Sequence, residues 1–118
     1  ISIVDDDEII QELIRTAFSD TEFRIKAYGN GKEFLAGEDS MDSDLVFLDL
    51  MMPEMDGIKL LENIKQIEKR PPIIVLSALS KRETVMQALQ LGVSSYMIKP
   101  LKPQTIRMKA SEILQMNF

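Results

Sequence analysis

Leu45-Val46-Phe47-Leu48-Asp49-Leu50-Met51-Met52-Pro53-Glu54-Met55-Asp56-Gly57 is the stretch on which the fold turns. It begins as an uninterrupted apolar run, the pattern of a strand buried on both faces, and stops on a carboxylate that such a strand does not need. Pro53 and Gly57 punctuate the loop that follows, and Asp56 stands where it can cap a helix carrying Ile58, Leu61 and Ile64. A buried strand that leads through a short loop into an amphipathic helix is half of a βαβ unit.

The same alternation extends in both directions. Upstream, Ile1-Ser2-Ile3-Val4 is an apolar run, and Ile10, Leu13, Ile14 and Ala17 then recur on one helical face. Phe23, Ile25 and Ala27 alternate as a half-buried strand, Gly29-Asn30-Gly31 marks a turn, and Phe34-Leu35 belongs to a short helix. Downstream, Pro71-Pro72 ends the third helix ahead of the run Ile73-Ile74-Val75-Leu76. Val85, Ala88 and Leu89 form the next helical face, which Gly92 is placed to terminate. Tyr96-Met97-Ile98 reads as a fifth strand, and Pro103 opens a last helix with Ile106, Ala110, Ile113 and Leu114 facing inward. Five strands alternating with helices predict an α/β fold with a parallel sheet covered on both faces. The second and fifth runs carry polar residues and suit the sheet edges. The doubly wound order 2-1-3-4-5 places them there, with a ligand-binding switch point between strands one and three.

Composition narrows the function. The 118 residues fit one domain, with no internal repeat and no linker to a second, effector domain. The chain opens inside an apolar run, so a few residues are expected to precede Ile1, and no signal peptide is visible. No apolar run approaches the ~20 residues of a membrane span. The formal net charge of −5 argues against a nucleic-acid surface. There is no cysteine, which suits a reducing cytosol, and no histidine, which excludes a phosphohistidine carrier, a Ser-His-Asp triad and a histidine-ligated metal.

Five polar residues follow the carboxyl ends of the expected strands: Asp5 and Asp6 after the first, Asp49 after the third, Ser77 after the fourth and Lys99 after the fifth. Singly, most have a bland explanation. Acidic residues after a strand cap helices, as Asp7 and Glu8 suit the helix dipole here, a serine is often a turn residue, and a lysine is usually a solvated charge. Together they converge on one sheet edge. Two carboxylates about 4 Å apart repel by roughly 4 kcal/mol at an effective dielectric near 20. Lys99 supplies one compensating charge, and a divalent ion would supply the rest. Ligands that are all hard oxygens suit Mg²⁺ or Mn²⁺ and disfavour zinc. Lys99 and the Ser77 hydroxyl could hold phosphate oxygens beside such an ion.

On Val4-Asp5-Asp6-Asp7, the Leu48–Gly57 motif, Leu76-Ser77-Ala78 and Tyr96-Met97-Ile98-Lys99-Pro100, the chain resembles the receiver domains of two-component response regulators over essentially its whole length. The resemblance implies a flavodoxin-like receiver fold with five helices. It implies that Asp49 accepts a phosphoryl group from a sensor histidine kinase or a histidine phosphotransfer protein. Asp6, Asp49 and the Met51 carbonyl would bind Mg²⁺, with Asp5 holding a metal-bound water. Lys99 would pair with the phosphoryl oxygens, Ser77 would move to the phosphate, and Tyr96 would change rotamer with it. The Lys99-Pro100 bond is expected to be cis. Met51 and Leu79 would flank the hydrolytic water and tune dephosphorylation. The resemblance also implies a cytoplasmic signalling switch, with no nucleic acid or membrane bound directly, and a possible homodimer through the fourth helix, fifth strand and fifth helix. Leu101 replaces a common phenylalanine, and the last helix lacks the charge pattern of the commonest DNA-binding relatives.

Two rival readings fit the residues less well. A haloacid-dehalogenase-like phosphatase shares the Asp, Mg²⁺, Ser/Thr and Lys, but normally places an acidic residue two positions after its nucleophile, where Met51 stands. A phosphorylation-independent interaction module would not need every catalytic position filled. Gly29-Asn30-Gly31-Lys32 lacks the spacing of a phosphate loop, and Glu33 follows where Ser or Thr is required.

Overall fold

The structure is a computed structural model that describes residues 1–52 and 56–118. The expected turn at Pro53 and the side chain of Met55 lie outside the described residues. Five strands, β1 (Ser2–Val4), β2 (Lys26–Tyr28), β3 (Val46–Leu48), β4 (Ile73–Ser77) and β5 (Ser95–Ile98), alternate with α1 (Glu8–Ala17), α2 (Gly31–Ala36), α3 (Gly57–Lys65), α4 (Arg82–Gln90) and α5 (Pro103–Leu114). A short 3-10 turn, Ser40–Asp42, precedes β3. The sheet is parallel with order β2-β1-β3-β4-β5, as the apolar patterning predicts.

Strand alternation splits the core into two layers. Val4, Val46, Leu48 and Val75 point to one face and pack with Phe34, Leu60, Leu61, Ile64 and Ala88 of α2, α3 and α4. Ile3, Phe47, Ile74 and Leu76 point to the other and pack with Ile10, Ile14, Ala17, Ile106 and Ala110 of α1 and α5. The helix starts follow from local chemistry. Asp7 caps α1 by accepting from Ile9 N at 2.9 Å, and Asp56 caps α3 by accepting from Lys59 N at 2.8 Å. Asn30 caps α2 while Glu33 reaches back to Gly29 N, both at 2.9 Å. Gly92, at φ 92°, closes α4 in the left-handed conformation that favours glycine.

Three expectations need correction. The second strand begins at Lys26 rather than at Phe23, because Phe23 is drawn into a ring cluster with Phe18 and Phe118, at centroid distances of 5.8 and 5.4 Å. Helix α3 ends at Lys65, well before Pro71-Pro72, where Gln66 N folds back onto Asn63 and Ile64 carbonyls. The prolines instead lead into β4, and Pro72 O accepts from Val46 N at 3.0 Å. Leu89 does not face inward: it is 43% exposed, while Ala88 is fully buried, so α4 rests on the sheet through a small side chain.

Phe18 joins α1 to the rest of its layer, with ring centroids at 5.8 Å from Phe23, 6.1 Å from Phe47 and 5.8 Å from Phe118. Phe18→Ala is predicted to cost about 3–5 kcal/mol, which corresponds to a thermal midpoint lower by on the order of 10–20 °C. Thermal unfolding followed by circular dichroism checks it; a loss of only a few degrees contradicts this view of the layer.

Candidate functional site

Strand register builds the site. Val4 lies opposite Leu48, so Asp5 and Asp49 leave neighbouring strands side by side. Ser77 lies opposite Ile98, so Lys99 follows immediately beyond it. All are at the carboxyl ends of parallel strands, and Asp5 and Asp49 flank the switch point between β1 and β3.

Asp5 and Asp49 are 1% and 6% exposed, and Lys99 Nζ stands 3.2 Å from Oδ2 of each. The second oxygen of each carboxylate is held by backbone: Asp7 N donates to Asp5 Oδ1 at 2.9 Å, and Met51 N donates to Asp49 Oδ1 at 3.1 Å. Burial pushes the Asp5 carboxyl above its ordinary range; the Asp7 amide and Lys99 oppose this, and the Asp49 charge adds to it. Burial also works against the Lys99 charge, but the two carboxylates outweigh it and hold the ammonium above its usual range. The paired groups therefore shift in ways that look contradictory for a simple ion pair. One ammonium shared by two carboxylates explains both: the lysine gains two partners, while the desolvated Asp5 has only part of one.

Asp6 is exposed, and one oxygen each from Asp5, Asp6 and Asp49 fall within 4.8 Å of one another. Three hard anionic oxygens against one ammonium fit a divalent cation of the Mg²⁺ or Mn²⁺ type, and the exposure of Asp6 leaves room for ligands from solvent.

Ser77 is fully buried, and its Oγ accepts from Leu79 N at 3.1 Å. Tyr96, which packs against the α2–α3–α4 core layer, donates its hydroxyl to Leu79 O at 2.6 Å. Residue 79 thus touches Ser77 through its amide and Tyr96 through its carbonyl. Met51 is 57% exposed, Met52 is buried, and Leu79 is partly buried. The Lys99-Pro100 bond is cis, as expected.

Sequence reasoning missed Gln11. Its side-chain amide donates to Asp5 O at 2.8 Å and pins the loop that carries Asp5 to Asp7 against α1. The only signal was a polar residue one position past the buried Ile10.

Because burial raises the Asp5 pKa, ionising this group costs stability. That contribution is intact below the ordinary carboxylate range and is lost as pH rises through the raised value. Without divalent ions, Asp5→Asn is therefore predicted to be more stable than the parent at pH 7, with an advantage that shrinks toward pH 4. Thermal midpoints in chelator across this range test the sign; an advantage that grows on acidification contradicts it.

Among the described residues no helix is long and apolar enough to cross a membrane. Residues 1–111 match the family model described as the response regulator receiver domain. The chain is 34% identical over 116 residues to the regulatory protein AtoC of Escherichia coli K12, covering 98% of this chain and 25% of that protein. It is 32% identical over 115 residues to the transcriptional regulatory protein ResD of Bacillus subtilis, covering 98% and 48%. A structure of the CheX–CheY–BeF₃–Mg²⁺ complex from Borrelia burgdorferi superposes with a TM-score of 0.86 at 30% identity, covering 95% of this chain and 86% of that one. The chain thus spans a quarter to a half of the length of these two curated regulators. With its sheet order, its helices and a family match over residues 1–111, the chain belongs to the response-regulator receiver domains.

Proposed function

We propose that the domain is a phospho-acceptor switch in which Asp49 takes a phosphoryl group from a phosphohistidine. The donor belongs to a sensor histidine kinase or a histidine phosphotransfer protein, since this chain contains no histidine. The observation that carries the reading is the shared ammonium, with Lys99 Nζ 3.2 Å from both Asp5 and Asp49. An Asp49 oxygen attacks phosphorus as the phosphorus–nitrogen bond breaks, the electron pair leaves on the donor imidazole, and an acyl phosphate forms. Lys99 is already bonded to Asp49 and can follow the phosphoryl oxygens as they arrive. The Met51 amide limits rotation of the acceptor carboxylate. Positioning and charge stabilisation of this kind dominate phosphoryl transfer.

Asp6, Asp49 and the Met51 carbonyl would hold Mg²⁺, or Mn²⁺ in its place, with Asp5 contributing through a water. The ion supplies neutralisation of charge on the carboxylates and phosphoryl oxygens. The Borrelia CheY complex contains Mg²⁺, which supports this choice. In this reading the chain acts only on itself, taking up a phosphoryl group and slowly hydrolysing it. It works in the cytoplasm as a signalling domain.

The signal runs from Ser77 toward Tyr96. A phosphoryl group offers Ser77 Oγ strong acceptors, and turning toward them gives up the bond from Leu79 N. Leu79 O is the partner of Tyr96, so the two switch residues are coupled through the two peptides that flank one residue. The fourth helix, fifth strand and fifth helix each carry exposed apolar side chains, Met86 and Leu89 on α4, Ile98 on β5 and Met108 on α5. Exposed apolar side chains on these elements suit protein contacts, a homodimer among them, and this reading assigns the domain no direct binding of nucleic acid or membrane.

Two outcomes test the reading. Acetyl phosphate should add one phosphoryl group per chain by intact mass only when Mg²⁺ is present, and Asp49→Asn should abolish it; label persisting elsewhere overturns the assignment. Hydrolysis should be slow, because Met51 and Leu79 cannot orient water through strong side-chain hydrogen bonds. Met51→Asn with Leu79→Glu should speed decay by on the order of tenfold. Decay measured after donor removal at constant Mg²⁺ decides this, and a parent that resets within seconds contradicts it.

A further inference from the structure

Gly57 opens α3 directly against the acceptor segment. Its amide donates to Leu50 O at 2.9 Å, and it is buried. A Cβ placed on it would lie 2.5 Å from Leu50 Cα, 2.8 Å from Asp49 O and 2.8 Å from Leu50 Cδ2. Two of these three atoms are backbone and cannot rotate aside. The requirement is one of space: the positive-φ glycine is Gly92, not Gly57.

We propose that Gly57 is a positioning residue for phosphoryl acceptance: its missing side chain lets the first turn of α3 seat on the Asp49–Leu50 peptide, and that seat fixes the direction of the Asp49 carboxylate. The proposal rests on the phospho-acceptor reading. Restoring an ordinary contact of at least 3.4 Å from 2.5 Å requires the peptide and the helix to part by close to an ångström. A displacement of about 1 Å at a reacting group can cost on the order of 100-fold in rate. The Met51 amide and Lys99 ammonium, which bond the two Asp49 oxygens, are set for the undisplaced carboxylate.

A matched set of variants separates positioning from general destabilisation. Gly57→Ala is compared with Gly92→Ala, which forces a side chain onto a left-handed residue outside the acceptor segment, where the nearest contact is Arg70 Nη2 at 3.6 Å. Mg²⁺ affinity is read from amide chemical shifts, the labelling rate at saturating Mg²⁺ from intact mass with acetyl phosphate, and stability from thermal unfolding. Gly57→Ala is expected to bind Mg²⁺ at least tenfold more weakly and to label at least tenfold more slowly. Gly92→Ala is expected to stay within twofold of the parent on both while losing thermal stability. Adding Leu50→Ala to Gly57→Ala should rescue neither quantity, because backbone remains in the way.

If Gly57→Ala fails to fold, Asp56→Ala is compared with Asp56→Asn. Both remove the charge, but only alanine removes the cap that holds the first turn of α3. Asp56→Ala should then bind Mg²⁺ at least threefold more weakly than Asp56→Asn, and equal affinities overturn the proposal. Affinity and labelling of Gly57→Ala within twofold of the parent, or rescue by Leu50→Ala, also overturn it. A parent that takes no label contradicts the phospho-acceptor reading itself, whereas a parent that labels normally beside an equally fast Gly57→Ala contradicts only the role of Gly57.

Discussion

Placing Asp5 and Asp49 on adjacent strand ends sets two nearly buried anions side by side, and one ammonium, that of Lys99, answers both at 3.2 Å. The balance is incomplete by design of the chemistry present. One positive charge cannot neutralise two desolvated carboxylates and a third, exposed one at Asp6. The remaining negative charge suits the edge to a small cation, and in the proposed reaction the ammonium would meet the phosphoryl oxygens. The same imbalance appears in the raised Asp5 pKa, so stability in the absence of ions and capacity to bind them are opposed at this edge.

The sheet exists in a form that creates this problem because β1 and β3 are neighbours in register, with Val4 opposite Leu48. Asp49 N completes the ladder by donating to Val4 O at 3.0 Å, so Asp49 is tied to the first strand at the point where its side chain leaves it. Helices then close in from both sides. Gln11 of α1 grips the Asp5 carbonyl, and the first turn of α3 rests on the Asp49–Leu50 peptide. Ser77 and Tyr96 are set further along the same edge and meet through Leu79. Ser77 and Tyr96 are therefore linked to each other by two hydrogen bonds made on one intervening residue.

Much of this was legible from residue order because strands buried on both faces are apolar throughout, so Asp49 stood out at the end of its run, and the polar second and fifth runs marked the edges. The five polar residues could be placed on one sheet edge for the same reason: a parallel sheet sends all its strands in one direction. What stayed hidden depends on contacts between elements distant in sequence. Phe23 alternates correctly with Ile25 and Ala27 for a strand, yet rings from Phe18 and Phe118 capture it. Leu89 fits an inward helical face, yet α4 meets the sheet through Ala88 one residue earlier. Gln11 looks like any solvated helix residue until the Asp5 carbonyl is found against it. Gly57 read as loop punctuation, since no local pattern distinguishes a glycine needed for a turn from one needed for close approach.

In the proposed reaction a histidine-borne phosphoryl group ends on Asp49 and on no other carboxylate of the cluster. Reductive trapping tests it most directly. Borohydride applied during transfer from a phosphohistidine donor protein converts an aspartyl phosphate to homoserine, and peptide mass spectrometry then locates that residue. Homoserine is expected at position 49 when Mg²⁺ is present. Homoserine at position 5 or 6, or none anywhere while the donor loses its phosphoryl group to this domain, contradicts it.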